Sequence, residues 1–204
     1  MYGVLCPLKA EFKIVKPVLE GKNVMLDYGG HGKVNYAVKA TEWLVKNPKI
    51  KTLLCVGAGG ALSPELNIGD VVVATRHFEH DYKERFLQDS PLPSGDLNPS
   101  YISLFEELKK QFPFLHLGPI ASGDEDIVSE KRAQEICDQT SAMVVAWEGM
   151  GGVKSCKHLG RNFIEIRGIT DHCGGSAPQD FHKNLTLAMT QASQVVKALI
   201  ASDL

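Results

Sequence analysis

Apolar residues along the chain fall into two alternating patterns, short continuous runs and longer stretches with an apolar residue every three or four positions. The continuous runs predict buried strands at residues 2–6, 24–28, 50–56, 71–75, 115–121, 143–147 and 163–170. The stretches with helical spacing predict helices at residues 8–19, 34–45, 101–111, about 129–138, 149–159 and 181–201. Strands that alternate with helices in this order favour an α/β fold with a mixed, largely buried sheet.

Two of the predicted helices have a clear apolar face. The helix at 34–45 places these residues on one side: Val34, Ala37, Val38, Thr41 and Leu44. The last helix is predicted to bury a longer stripe: Leu185, Ala188, Met189, Ala192, Val195, Val196 and Leu199. Faces of this kind are typical of helices that cover a sheet.

The glycine-rich segment 57–61 follows the third predicted strand, as the phosphate-binding turn does in dinucleotide-binding proteins. Its Gly-Ala-Gly-Gly spacing is not the dinucleotide fingerprint, and residues 63–70 have turn chemistry where that motif needs a crossover helix. We therefore expect a turn at 57–61 and no classical dinucleotide site. The strand at 71–75 should then join the sheet without an intervening helix.

The composition narrows the range of partners. The 204 residues suffice for a substantial core and contain no linker, so a single domain over residues 1–204 is expected. Lys and Arg total 22 against 24 Asp and Glu, which gives a net charge of -2. Nucleic acid and anionic membranes require a basic surface, so neither is an expected partner.

The cysteines and the first residues bear on the cell compartment. Five cysteines, an odd number set mostly in apolar runs, favour reduced and packed thiols over a disulfide framework. The chain enters its first strand directly and lacks the regions of a signal peptide, and no apolar run is long enough to cross a bilayer. A soluble cytoplasmic protein is expected.

Three carboxylates closely follow predicted strands. Glu11 comes one helical turn after the first strand, Glu148 directly after the strand at 143–147, and Asp171 at the end of the strand at 163–170. Because ligands of α/β sheets bind at strand ends, we expect these acids to converge on one crevice, where a fixed carboxylate suits vicinal hydroxyls such as those of ribose. The alternative is that each acid only complements a helix N-terminus or lies exposed on a helix.

Several histidines and a long polar segment are further candidates for metal binding or for contact with a ligand or partner. The possible metal ligands are His77, His80, Asp81, His172 and Cys173. They lack the tight spacing of a zinc site, so no metal is predicted. Residues 88–100 are rich in Pro, Ser, Gly and Asp, which predicts a loop that is a lid, a partner contact or a mobile segment. Three glycines around His31 allow a ligand or a neighbouring chain to approach closely.

Several short motifs occur in the order that they have in a known family. They are Glu11, Gly30-His31-Gly32-Lys33-Val34, the turn at Gly57, Ile68-Gly69-Asp70-Val71-Val72, Ser122-Gly123-Asp124, Glu148, Arg167-Gly168-Ile169-Thr170-Asp171 and Phe181. With this ordered set the chain resembles the purine nucleoside phosphorylase and nucleosidase superfamily, most closely the methylthioadenosine/S-adenosylhomocysteine nucleosidases. The resemblance runs through almost the whole chain and implies a three-layer α/β/α fold with a mixed, partly barrel-like central sheet.

The resemblance also implies cleavage of an N-ribosidic bond and a role for each matching residue. Asp171 matches the general acid that protonates N7 of a purine, a role that needs a raised pKa. Glu11 matches the residue that positions and deprotonates the attacking water, and Arg167 matches the arginine that supports the carboxylates. Glu148 matches the glutamate that takes the 2′- and 3′-hydroxyls of the ribose.

Further matches concern the pocket walls and the assembly. Ile127 stands where main-chain groups read the base edge, Phe181 borders the pocket for the 5′-substituent, and Ala58 and Gly59 lie in the glycine-rich turn beside the nucleophile. No cofactor is expected. The resembling enzymes are dimers or hexamers in which a neighbour closes the 5′ pocket, which implies a homo-oligomer, with a dimer favoured. The segment His77 to Arg85 and the long loop are the candidate contacts.

The sequence departs from the family at three pocket positions. Trp147 replaces a methionine that packs under the ribose, so either the sugar pocket is reshaped or Trp147 points elsewhere. Ala58 replaces a serine near the nucleophile, and Asp126 stands where the nucleosidases place an aromatic residue that stacks on adenine. These differences leave the base and the 5′-substituent open.

The reaction type depends on the nucleophile. Phosphorylases of the superfamily hold phosphate with an arginine two residues before the glycine that is Gly57 here and a serine just after it, whereas this chain has Cys55 and Ala58. Without these groups water is favoured over phosphate, which predicts a nucleoside hydrolase. The alternatives are a phosphorylase, a nucleoside-binding protein that has lost turnover, and an α/β domain whose acids only cap helices.

Overall fold

The computed structural model describes residues 1–84, 86 and 91–202. Within them the strands are β1 (Tyr2–Cys6), β2 (Val24–Tyr28), β3 (Thr52–Ala61), β4 (Val71–Glu79), β5 (Ser94–Asp96), β6 (Leu115–Ser122), β7 (Val144–Ala146) and β8 (Asn162–Asp171). The helices are α1 (Lys9–Leu19), α2 (Lys33–Lys46), α3 (Pro99–Lys109), α4 (Glu130–Thr140), α5 (Gly149–Leu159) and α6 (Ala177–Ser202).

Five of the strands close into a ring. Following the pairings, β3 joins β7, β7 joins β6, β6 joins β4, β4 joins β8, and β8 returns to β3. The β4–β8 and β3–β7 pairs are antiparallel and the other three pairs are parallel, so the sheet is mixed. Strands β1 and β2 extend the sheet from β3, and β5 pairs with β4. The predicted fold, three layers around a mixed and partly barrel-like sheet, is confirmed.

Helices cover this sheet on two sides. Helices α1 and α3 both contact α6, and α2 packs on α5 in a separate group. The α6 stripe is buried as predicted from Ala188 through Leu199, with only Leu185 half-buried, and it lies against the largest apolar cluster of the chain. Burial of this stripe holds α6 on the sheet and so fixes the strand ends beside it.

The predicted face of α2 is only partly right, since Leu44 is buried but the valines are not. Val34 and Val38 are 70% and 64% exposed, and the helix instead buries an aromatic face that includes Tyr36 and Trp43. Aromatic side chains bury more apolar area than valines, and the Tyr36 hydroxyl also donates to the Leu5 carbonyl oxygen across 3.3 Å. The valines are left as an apolar stripe on the surface.

The predicted turn at 57–61 is also wrong, because β3 runs through these residues to Ala61. A Cβ atom at Gly57 would lie 2.6 Å from Nη1 of Arg167, and one at Gly59 would lie 2.6 Å from Cγ1 of Val144. These glycines therefore permit close packing inside the barrel rather than a change of chain direction. As predicted, β4 follows without an intervening helix.

Regular structure also enters the predicted loop at 88–100. Residues 94–96 pair with β4, and α3 begins at Pro99, where the Asn98 side chain accepts a hydrogen bond from the N–H of Ser100 across 3.1 Å. The part of this loop at 88–90 lies outside the described residues. Likewise, α6 begins at Ala177, four residues before the predicted start at Phe181, which shortens the loop after Asp171.

The predicted contact segment His77 to Arg85 is only partly available. His77 and His80 are 1% and 2% exposed. β4 continues to Glu79 and carries His77 into the interior, and His80 directly follows its end. Arg85 lies outside the described residues. Within the described part of the chain, no helix is long and apolar enough to span a membrane. All five cysteines, which this part includes, are free thiols.

Candidate active site

Three carboxylates from separate elements line one cavity of about 330 Å³. Glu11 comes from the first turn of α1, Glu148 lies between β7 and α5, and Asp171 ends β8. Their exposed fractions are only 2%, 2% and 9%. Carboxylates this deeply buried require hydrogen-bonding or charged partners, and each of the three has them.

Two backbone amides hold Glu11. The N–H of Leu8 donates to Oε2 across 2.7 Å, and the N–H of Ala58 donates to Oε1 across 2.8 Å. Burial raises the pKa of Glu11 to about 7, and the charge of Glu148 adds to the rise, against the opposing effects of the amides and of Arg167. A carboxyl group with such a pKa exchanges its proton near neutral pH, as a general base must.

Glu148 receives hydrogen bonds on both of its oxygens. Oε1 lies 3.0 Å from Nδ1 of His31 and accepts from the N–H of Gly32 across 3.1 Å, while Oε2 accepts from Nη2 of Arg167 across 3.0 Å. Burial opposes ionisation, but the His31 hydrogen bond and the Arg167 charge outweigh it, so the pKa of Glu148 lies below its ordinary value. An ionised carboxylate has about four acceptor sites, so these three partners leave capacity for ligand hydroxyls.

Arg167 connects two of the carboxylates. Its side chain is buried, and it donates from Nε to Glu165 Oε1 across 2.8 Å and from Nη2 to Glu148 Oε2 across 3.0 Å. Nη1 donates to the carbonyl oxygen of Ala58 across 3.1 Å, and the N–H of the same residue donates to Glu11. Arg167 thus fixes the position of Glu148 directly and that of Glu11 through one residue of backbone.

Asp171 sits where β8 lies beside β3. The Thr170 hydroxyl donates to Oδ2 across 2.9 Å, and the N–H of Cys173 donates to Oδ1 across 3.0 Å. Burial nevertheless raises the pKa of Asp171 above its ordinary value. A Cβ atom at Gly60 would lie 2.9 Å from Oδ1, so the glycine makes room for the carboxyl group. The raised pKa suits a proton donor.

The side chain of Trp147 forms part of the cavity wall. Its ring stacks on His31 with 4.0 Å between ring centroids and 26° between ring planes, and both rings line the cavity. Trp147 therefore faces the ligand space rather than pointing away from it. Asp126 also lines the cavity and is exposed, so a carboxylate lies at the position where the resembling nucleosidases have an aromatic ring.

All nine residues that the resemblance assigned to the site line this cavity: Glu11, Ala58, Gly59, Ile127, Trp147, Glu148, Arg167, Asp171 and Phe181. The chemical roles assigned to them through the resemblance stay predictions. The sequence reasoning gave no role to His31 or Glu165, which contact Glu148 and Arg167. The glycines around His31 were a signal for the first, and an acid between two isoleucines of a predicted buried strand was a signal for the second.

This arrangement combines groups with different proton affinities. Asp171 can donate a proton, Glu11 can accept one, and ionised Glu148 can accept hydrogen bonds from hydroxyl groups. Carboxyl groups whose pKa values are moved in different directions within one cavity are characteristic of acid–base catalysis. Among the residues that the structure describes, no group of three or more His, Cys, Asp or Glu side chains is placed to hold a metal ion.

The closed mixed barrel and the carboxylate-lined cavity at its strand ends define an α/β enzyme that acts on a small ligand. The profile of the phosphorylase superfamily matches residues 6–201, and the chain belongs to that superfamily.

Relatives and solved structures agree with this membership. The 5′-methylthioadenosine/S-adenosylhomocysteine nucleosidase of Staphylococcus aureus (strain NCTC 8325 / PS 47) is 28% identical over 200 residues, which are 94% of this chain and 87% of the relative. The fold is similar to that of the Helicobacter pylori enzyme of the same name, with a TM-score of 0.88 at 21% identity over 100% of this chain and 98% of the other. It is equally similar to futalosine hydrolase of Helicobacter pylori, with a TM-score of 0.89 at 21% identity over 100% and 97%.

Proposed function

We propose that this protein is a hydrolase that cleaves the N-ribosidic bond of a purine nucleoside of the methylthioadenosine or S-adenosylhomocysteine type. The observation that carries the proposal is the convergence of Glu11, Glu148 and Asp171 on one cavity, with pKa values raised for the first and third and lowered for the second. The name of the Staphylococcus aureus relative supports the class of substrate.

The chemistry of the bond assigns one task to each carboxyl group. As the bond between C1′ and the base breaks, positive charge builds on the sugar and negative charge on the base. Asp171 gives its proton to N7 of the leaving purine. Glu11 takes a proton from the water whose oxygen forms the new bond to C1′, and Glu148 accepts hydrogen bonds from the ribose hydroxyls. The products are the free base and the 5′-substituted ribose.

The charges around the cavity support water rather than phosphate as the nucleophile. Among the described residues that line the cavity, the ionisable side chains other than histidine and cysteine are Glu11, Glu125, Asp126, Glu148, Arg167 and Asp171. Arg167 is the one fixed cation of this set, and its guanidinium group already donates to Glu165, Glu148 and the Ala58 carbonyl oxygen. A phosphate ion would therefore meet carboxylates and no uncommitted arginine or lysine among these described residues.

Release of free base from a panel of nucleosides, with and without phosphate, tests the proposal. The panel contains 5′-methylthioadenosine, S-adenosylhomocysteine, adenosine, inosine and futalosine, since Trp147 and Asp126 alter the walls that meet the base or the sugar. We expect base release that does not depend on phosphate. A rate that rises with phosphate and a sugar phosphate product would identify a phosphorylase, and tight binding without release would identify a binding protein.

We also propose that residues 1–204 act as one domain in a cytoplasmic homodimer. The free cysteines are consistent with a reducing compartment. On α2, Val34, Val38 and Val45 are 70%, 64% and 63% exposed and recur at helical spacing, which supports an apolar contact surface. Sedimentation velocity tests this surface: Val38→Asp should shift a dimer to monomer, whereas an unchanged dimer would place the contact elsewhere.

A further inference from the structure

Two buried polar atoms face each other behind the cavity. Oε2 of Glu165, on β8, lies 3.4 Å from Nε2 of His77, on β4, and the side chains are 0% and 1% exposed. Neither atom has a hydrogen-bond partner among the residues that the structure describes. Buried polar atoms are rarely left in this state, so the pair requires a physical explanation.

The other ring nitrogen of His77 fixes where its hydrogen lies. Nδ1 is 3.1 Å from the carbonyl oxygen of Gly95, and because a carbonyl oxygen only accepts, Nδ1 carries a hydrogen whether the ring is neutral or charged. In a neutral ring Nε2 is then a bare lone pair. With Glu165 ionised as well, two lone pairs would face each other inside the protein. One proton between Nε2 and Oε2 removes this conflict.

The charges around Arg167 lead to the same conclusion. Glu165 Oε1 and Glu148 Oε2 both accept from this guanidinium group, and Glu11 is buried nearby. Even with a charged His31 on the half-exposed side of Glu148, three ionised carboxylates would outnumber the cations and leave excess negative charge away from water. A proton held on the Glu165–His77 pair removes one of these charges and keeps Oε1 as an acceptor for Arg167.

We propose that Glu165 and His77 hold one proton between them and that this pair positions Arg167, and through it Glu148, for the ligand. Glu165 is a positioning residue in this scheme, not a catalytic one, since Arg167 stands between it and the cavity. The inference rests on the proposed function for its effect on turnover, but the shared proton is a property of the free protein.

Several groups face His77 and influence its proton. Glu165 and Arg167 come from β8 and Asp96 from β5, and the Phe163 ring packs at 5.3 Å between ring centroids. Burial lowers the pKa of His77 from its ordinary value, against the opposing charge of Glu165. Burial thus disfavours a second hydrogen on the imidazole ring.

Glu165→Gln tests the pair because glutamine mimics a protonated glutamate and cannot lose that proton. Its amide oxygen still accepts from Arg167 Nε, and its NH₂ group donates to His77 Nε2. At pH 7 we expect a KM close to that of the unaltered protein. Glu165→Ala should raise KM about 10- to 100-fold with a smaller change in kcat, because Arg167 loses its anchor. If Glu165→Gln is as impaired as Glu165→Ala, Glu165 is an ionised counter-ion and the proposal is wrong.

The pH dependence of KM gives a second test, because a simple loss of packing would not change it. The KM of the unaltered protein should rise at alkaline pH as the pair loses its proton, whereas Glu165→Gln should lack this rise. His116→Gln is the matched control, because His116 Nε2 also faces a carboxylate, Asp70 at 3.2 Å, but neither residue lines the cavity. It should keep the alkaline rise.

Nuclear magnetic resonance of the ¹⁵N-labelled imidazole rings separates this inference from the proposed function. In the unaltered protein the Nε2 signal of His77 should change with pH as the shared proton is lost, and in Glu165→Gln it should not. A bare, pH-independent Nε2 in the unaltered protein would overturn the shared proton. If no nucleoside is cleaved, the proposed function fails while this signal still decides the question of the pair.

Discussion

Nη2 of Arg167 lies 3.0 Å from Oε2 of Glu148, and each of these side chains is only 2% exposed. The same guanidinium group donates to Glu165 and to the Ala58 carbonyl oxygen. A buried ion pair of this kind adds little net stability by itself, but removing one partner is costly because the other charge stays buried. Arg167 therefore acts as the fixed point from which the carboxylates of the cavity are placed.

Arg167→Lys should be destabilising even though it keeps the charge. An ammonium group is a compact point charge and cannot reach Glu165, Glu148 and the Ala58 carbonyl oxygen together as the planar guanidinium does. At least one buried acceptor loses its donor, and we expect a loss of about 1–3 kcal/mol in the free energy of unfolding, measured by urea denaturation. Arg76→Lys, at a half-exposed side chain 3.5 Å from Asp96, should change it by less than about 0.5 kcal/mol. Equal effects of the two substitutions would contradict this role for Arg167.

Glu11→Gln should remove the acid limb of the pH–rate profile. The pKa of Glu11 is about 7, so as a base it becomes competent when the pH rises through that value. In the unaltered protein kcat/KM should therefore increase with pH around 7, and the variant should be slow at every pH. Glu20→Gln, at an exposed residue just after α1, should keep the full profile. A variant that retains the acid limb would assign it to another group.

The same pKa predicts how stability depends on pH. The folded value of about 7 lies above the ordinary value of 4.5, so the folded protein binds this proton more tightly than the unfolded chain does. The resulting stabilisation is complete below about pH 4.5 and is lost as the pH rises through about 7, a loss of about 3 kcal/mol. The free energy of unfolding, measured by urea denaturation below pH 4.5 and above pH 7, should differ less between the two conditions for Glu11→Gln than for the unaltered protein. An identical difference would mean that Glu11 titrates as it does in water.

Asp171→Asn should abolish base release while the fold survives. The amide oxygen can still accept from the N–H of Cys173, but an amide cannot give a proton to the leaving base, and we expect the rate to fall about 10²- to 10⁴-fold. Asp138→Asn provides the control, since it makes the same chemical change at an exposed position of α4. Thermal unfolding should show both variants folded. Full activity in Asp171→Asn would remove Asp171 from the mechanism.

The sequence was sufficient to predict the position of a residue wherever that position follows from the residue's own strand or helix. Glu11 and Asp171 closely follow β1 and β8, which both run parallel to β3, so their carboxyl ends meet at one edge. Glu148 joins them because β7 pairs antiparallel with the last residues of β3. The buried face of α2 could not be predicted in this way, because valines and aromatic residues both recur there at helical spacing. The partner of Glu165 was equally hidden, since β4 brings His77 to it only after the barrel has closed.

Gly60→Ala tests whether the barrel is packed as tightly around the proposed acid as the structure indicates. The added Cβ would lie 2.6 Å from Sγ of Cys173 and 2.9 Å from Oδ1 of Asp171, so it must displace both, at a cost of about 1–3 kcal/mol in unfolding free energy and with a loss of base release. Adding Cys173→Ala should recover part of the stability but not the activity, because the clash with Asp171 remains. Gly174→Ala, with no atom within 4 Å of its added Cβ, should change neither quantity. Full activity in Gly60→Ala would show that the position of Asp171 does not depend on this contact.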